Sequence, residues 1–220
     1  MFRELPMNGA HHVMFKDRVE AGDKLGSLLL AYQHTDTLVL GIARGGIIPA
    51  SRIAERLSLP LDILVVKKIP HPSHPELALG ALAPDSVRVI HWVHVQRAGI
   101  DEDYLRSMER VLKSEISRKM HMYRKRKKPI HVEGKTILLV DDGVATGATM
   151  EAAVLWARKK KAKQIIIAVP VASTDAVTLL KPDIHQSVCL VITDALGAVS
   201  EYYKSFSQIS DAEVIKSLQG

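Results

Sequence analysis

Short continuous apolar runs alternate along this chain with longer stretches in which apolar residues return every three or four positions. The runs at Thr37–Ile42, 61–66, Thr136–Val140, 164–170 and 187–192 have the length and β-branched content of strands buried on both faces. The stretches between them read as helices at Ile47–Leu57, 148–161 and Thr174–Leu180. An opening helix is expected over 17–32, where Leu25, Leu28, Leu29 and Tyr32 share one face, and a short terminal one over 211–218. Strand and helix in alternation imply an α/β fold: an open doubly wound, mainly parallel sheet of about five strands with helices on both faces.

Two segments break this alternation. Residues 69–85 carry prolines, two histidines and little periodicity, which predicts a mobile loop rather than a packed element. A return strand is expected over 87–95. From 101 to about 125, Tyr104, Met108, Leu112, Ile116 and Met120 repeat every four residues, so one long amphipathic helix is expected, ending in the basic run Arg124-Lys125-Arg126-Lys127-Lys128. With 220 residues, the chain suits a single domain, 1–220, with the loop 69–85 and the helical insertion 101–127 as embellishments.

Composition narrows the function classes only a little. Hydrophobic residues make up 47% of the chain, enough for a sizeable core, and the net charge of +6 favours anionic partners without choosing between a polyphosphate and a nucleic acid. No apolar run has the roughly 20 residues needed to span a bilayer, and none at the N-terminus has signal-peptide character. A soluble protein with no membrane partner is expected. The single cysteine, Cys189, lies in an apolar run and reads as a buried thiol, which suits a reducing, cytoplasmic compartment.

The chemistry concentrates where the run ending at Val140 gives way to Asp141-Asp142-Gly143-Val144-Ala145-Thr146-Gly147-Ala148-Thr149. In doubly wound sheets, ligands collect at the carboxyl ends of strands, and a helix N-terminus offers free N–H groups to a phosphate. Thr146 to Thr149 can cradle a phosphomonoester, while Asp141 and Asp142 are placed to accept hydrogen bonds from a ribose diol and to help hold a divalent metal, directly or through water. A second element, Ala43-Arg44-Gly45-Gly46 after the first strand, can aim backbone N–H groups and one guanidinium at an anion.

The ordered set of apolar strand, two acids, a small residue and Thr-Gly-x-Thr resembles the 5-phosphoribosyl-1-pyrophosphate (PRPP) motif of type I phosphoribosyltransferases. The resemblance covers the core from about Thr37 to Val191. It implies an enzyme that transfers phosphoribosyl from PRPP to a nucleobase or related nitrogen acceptor, in nucleotide or nucleoside metabolism, with Mg2+ as cofactor. Asp141 and Asp142 would contact the ribose hydroxyls and serve as metal ligands, and Ala145, Thr146, Gly147, Ala148 and Thr149 would bind the 5-phosphate. Arg44, Gly45 and Gly46 would form the pyrophosphate loop, with Lys67 and Lys68, at the end of the next strand, reaching the departing pyrophosphate. Arg44, Lys67, Lys68, Asp141 and Asp142 are thus the candidate catalytic set. Segment 70–81 stands where the family has a flexible loop that closes over PRPP, and about 194–210 where it has a variable hood. There, Tyr202 or Tyr203 could stack on the acceptor.

Some features depart from the family or point elsewhere. Ala145 stands where hypoxanthine and guanine enzymes usually carry an aspartate, which counts against a 6-oxopurine acceptor. His71 and His74, and again His91 and His94, have His-x-x-His spacing but lack a third ligand at metal spacing. Gly134-Lys135-Thr136 precedes its strand instead of following it, which excludes a P-loop. The alternative function is a PRPP-sensing regulator that binds nucleic acid through 118–128. With no recognisable reader domain, specific nucleic acid binding is not expected, and the partners are PRPP and a small acceptor, with a homodimer allowed.

Overall fold

The computed structural model describes residues 2–3, 14–74, 78–125, 128–129 and 131–219. Its strands are β1 (Phe2–Arg3), β2 (Thr37–Ile42), β3 (Leu61–Leu64), β4 (Lys67–Pro70), β5 (Ala78–Ala83), β6 (Val87–Ile90), β7 (Thr136–Val140), β8 (Gln164–Ser173) and β9 (Gln186–Thr193). The helices are α1 (Arg18–Leu28), α2 (Ile47–Leu57), α3 (Trp92–Arg97), α4 (Glu102–Arg124), α5 (Ala148–Lys159), α6 (Thr174–Leu180) and α7 (Asp211–Ser217).

Six parallel strands form the main sheet in the order β1-β9-β8-β7-β2-β3, the two-residue β1 extending the five expected strands. Period-2 alternation divides their side chains between two apolar layers. Leu38, Leu40, Ile137, Leu139, Ile165 and Ile167 pack with α5 and with Ala81, Ala83, Val87 and Val89 on one face. Val39, Leu138, Val140, Ile166 and Ala168 pack with α1, α2, Phe15 and Tyr203 on the other. The chain runs outward in one direction from β2 to β3 and in the other from β7 through β8 to β9. The order therefore reverses between β2 and β7, which pair from Thr37↔Thr136 to Gly41↔Val140, and the crevice of a doubly wound sheet opens there.

The segment 69–85 differs from the expectation of an unpacked loop. It contains β5, which pairs antiparallel with β4 on one side and with β6 on the other. Leu79, Ala81 and Leu82 are buried. Small residues and prolines hid the strand, because Ala and Gly weaken the apolar signal while the backbone ladder and the cover from α4 and α5 hold it. Residues 75–77 lie outside the described residues. The return strand is shorter than 87–95: it stops at Ile90, and α3 follows.

The long helix α4 lays Leu105, Leu112, Ile116, Met120 and Tyr123 against the edge formed by Ile63, Ile69, Leu79 and Leu82, and against Val214 of α7. Asp101 caps its start, its side chain accepting from the Tyr104 N–H at 2.8 Å. Near its end, the Arg124 guanidinium grips Asp62 of β3 through two hydrogen bonds of 2.8 and 2.9 Å. The helix is thus a brace that covers the outer edge of the sheet.

Candidate functional site

Both sequence motifs arrive at the crevice. The turn 43–46 leaves β2 and the loop 141–147 leaves β7, and the two touch. The Ala43–Arg44 peptide bond is cis. A Cβ on Gly45 would overlap the Asp142 carboxylate, and one on Gly46 would lie 2.5 Å from the Val140 carbonyl oxygen, so only glycines let the two loops meet. The amides of Arg44 and Gly45 donate no hydrogen bond among the described residues. The Arg44 side chain, half-buried, likewise has no hydrogen bond or ion pair among them.

The loop after β7 is pinned on one side and open on the other. Val144 N–H donates to the Val171 carbonyl at 2.9 Å, Ser173 N–H donates back to the Val144 carbonyl at 2.9 Å, and the Ser173 hydroxyl donates to the Ala145 carbonyl at 2.6 Å. Gly147 then turns the chain at φ +85°, a left-handed conformation, and α5 begins without a side-chain cap. Among the described residues, none of the consecutive amides from Ala145 to Met150 donates a hydrogen bond within the protein. This run of free donors stands at the positive end of a helix of 12 residues, with Thr146 exposed and Thr149 half-buried beside it.

The two acids are held differently. Asp141 accepts the Asp142 N–H on Oδ1 at 2.9 Å. Burial, and then the neighbouring Asp142 carboxylate, push the Asp141 carboxyl well above the ordinary carboxylate range. Asp142 Oδ2 receives Nε of Arg18 at 2.7 Å, and its backbone carbonyl receives the Tyr203 hydroxyl at 2.6 Å. A side-chain hydrogen bond between the two carboxyls also contributes to raising Asp141.

Other expected site residues are placed otherwise. Lys67 and Lys68 do not close β3, which ends at Leu64: they open β4 in the antiparallel sheet. Lys67 pairs with Glu115 of α4 at 2.5 Å, while Lys68 is exposed. Tyr202 and Tyr203 are buried in the core layer, and the Tyr203 ring packs against Phe15 and Phe206 with centroids 5.4 and 4.9 Å away. Among the described residues no group of three His, Cys, Asp or Glu could hold a metal ion, the two His-x-x-His pairs included. In the basic run, Arg124 is committed to Asp62, and Lys119 earlier on the helix bonds Asp211 at 2.5 Å. Arg126 and Lys127 lie outside the described residues.

Sequence reasoning missed Arg18, whose only signal was its place after the capping residue Asp17, and Val199 of the segment 194–210, which packs onto Gly143. The model for the phosphoribosyl transferase domain matches residues 19–205. The chain belongs to the phosphoribosyl transferase family. It is 37% identical over 202 residues to proteins from two strains of Mycobacterium tuberculosis, CDC 1551 / Oshkosh and H37Rv, whose own naming as phosphoribosyl transferases is provisional. The match takes in 92% of this chain and 46% of each relative, so the chain spans about half the length of these curated relatives. A crystal structure of the protein TT1426 from Thermus thermophilus shares 34% identity and a TM-score of 0.77, covering 93% of this chain and 97% of that one. The type I fold expected from the motif is the fold observed. No helix among the described residues is long and apolar enough to cross a membrane.

Proposed function

We propose that this protein binds PRPP at the β2–β7 crevice and transfers its phosphoribosyl group to a nitrogen of a small nucleobase-like acceptor, releasing pyrophosphate. The observation that carries the reading is the run of unpaired amides from Ala145 to Met150 beside the adjacent carboxyls of Asp141 and Asp142. A phosphomonoester needs several converging N–H donors, and a ribose diol needs carboxylate acceptors at one sugar length from them. PRPP carries both groups, and its pyrophosphate suits the open amides of Arg44 and Gly45 with the uncommitted Arg44 guanidinium.

In this reading the acceptor nitrogen forms a bond to the anomeric carbon as the bond to pyrophosphate breaks, the electron pair leaving with the pyrophosphate oxygen. The protein's part is positioning and charge stabilisation. The Ala145 to Thr149 cradle holds the 5-phosphate, Asp141 and Asp142 orient the ribose, and Arg44, with Lys68 or Lys67, offsets charge growing on the leaving group. The donor set fits Mg2+, which takes one or two carboxylates and completes its shell with substrate oxygens and water. Asp141 and Asp142 would hold it, and the chemistry it would supply there is neutralisation of pyrophosphate charge. Ala145 supplies no carboxylate for an acceptor proton, so the acceptor is one that needs no such base, and the segment 194–210 would receive it.

The test is calorimetry of PRPP with Mg2+, followed by pyrophosphate release across a panel of bases and without acceptor. Micromolar binding with base-dependent release is expected. Binding without release for any base would instead mark a PRPP-sensing protein, and no binding at millimolar PRPP would refute the reading.

A further inference from the structure

Segments 15–18 and 202–207 meet beside Asp142. The Asp17 side chain caps α1 by accepting from the amides of Val19 and Glu20, which places Arg18 in the first turn. Amide bonds from Phe15 to the Tyr202 carbonyl, Lys204 to the Phe15 carbonyl and Ser205 to the Lys16 carbonyl fasten the stretch before α1 to the second half of segment 194–210. Arg18 sits at this seam and is 8% exposed. Its Nε donates to Asp142 Oδ2 at 2.7 Å, its Nη1 donates to the Ser207 carbonyl at 2.9 Å, and its guanidinium lies over the Phe206 ring with Cζ 3.7 Å from the centroid. Only a planar, forked cation meets all three demands at once.

Resting on the reading of the crevice as a phosphoribosyl site, we propose that Arg18 is a positioning residue for ribose recognition: it fixes the Asp142 carboxylate by Oδ2 against the Gly45 turn so that Oδ1 is presented to the sugar diol. A carboxylate that must be ordered on binding loses part of the energy of each bond it makes, and the bond from Arg18 removes part of that cost. The Tyr203 hydroxyl on the Asp142 carbonyl fixes the backbone, and Arg18 fixes the side chain. Neither residue bonds to the amide run from Ala145 to Met150, so the phosphate cradle does not depend on Arg18.

Two probes separate these halves: ribose 5-phosphate, which carries diol and phosphate, and inorganic phosphate, which reports on the cradle alone. Calorimetry on Arg18→Gln is expected to show roughly tenfold weaker ribose 5-phosphate binding, the loss of about one well-placed charged hydrogen bond, with inorganic phosphate affinity unchanged. In an Asp142→Asn background, Arg18→Gln should cost nothing further. Arg18→Lys should restore only part of the affinity, because it returns the charge without the fork. Equal losses for both probes, or losses that add in the double variant, would overturn the role. Should Arg18→Gln fail to fold, Phe206→Leu removes the ring under the guanidinium while keeping the charge. It is expected to weaken ribose 5-phosphate alone, and unchanged binding would overturn the role. Wild-type protein that binds inorganic phosphate but neither ribose 5-phosphate nor PRPP with Mg2+ would overturn the phosphoribosyl reading, and the role of Arg18 with it.

Discussion

At the residue scale the site rests on positions where a side chain cannot be exchanged without a specific loss. Gly147 has φ +85°, and a Cβ there would stand 3.0 Å from Leu179 Cδ2. Gly147→Ala is expected to cost about 1 to 2 kcal/mol of stability from left-handed strain alone. It should also weaken inorganic phosphate binding by tilting the start of α5. Urea denaturation and a phosphate titration would check both, and an unchanged urea midpoint would show that the turn relaxes freely. Asp142→Asn should weaken PRPP by about 1.5 to 3 kcal/mol, since a neutral amide replaces a charged acceptor. It also removes the partner of the buried Arg18, so its thermal midpoint should fall as well. An unaltered dissociation constant for PRPP would leave Asp142 a structural acid and pass the sugar to Asp141.

Elements show why some of this was readable from sequence and some was not. The limits of β2, α2, β7 and α6 match the apolar runs and stretches that announced them, because each is buried on a full face and closed by a strong turn signal. The motif at 141–149 was legible for the same reason: it combines charge, glycine and threonine in a fixed order after a buried strand. β5 was not legible, since alanine and glycine give little apolar contrast and its pairing partners are set by tertiary contact. Nor was the Arg18–Asp142 pair, which joins residues 124 positions apart. The turn between β5 and β6 offers a prediction of its own. Asp85 accepts the Trp156 indole N–H at 2.9 Å and pairs with Lys160 at 2.8 Å, tying the arm to α5. Its carboxyl lies below the usual range, through Lys160 first and Trp156 next. A folded value below the unfolded one of about 4 means that the stabilisation is complete above that value and is lost as pH falls through the folded value. Asp85→Asn is therefore expected to cost about 1 kcal/mol at pH 7, mostly from the weakened indole bond, since the half-exposed ion pair is screened by water. The difference from wild type should shrink in melts below pH 4, and a constant difference would mean that the Asp85 charge contributes nothing.

For the whole molecule, the question is which parts stay rigid when ligand enters the crevice. PRPP with Mg2+ at about 100 times its dissociation constant should stabilise the native state by roughly 2.7 kcal/mol, and the melting temperature should rise by several degrees. The family resemblance makes 70–81 a closing loop, yet the second half of that segment is built into a sheet. β5 is laddered on both sides, and Leu79, Ala81 and Leu82 are buried against α4 and α5. Opening it would break two ladders and expose that apolar surface, so its amides belong to the stable part of the fold. The loops 43–46 and 143–150 have the opposite character, with amides at 44–45 and 145–150 that donate to nothing among the described residues. Hydrogen exchange should therefore find 78–83 slow both with and without PRPP and Mg2+, while 44–45 and 145–150 are fast in the free protein and slowed by ligand. Protection that appears in 78–83 only with ligand would show that the arm opens as a lid. The brace from α4 would then have to release β4 and β5 in each cycle, and the Lys67–Glu115 pair would have to break with it.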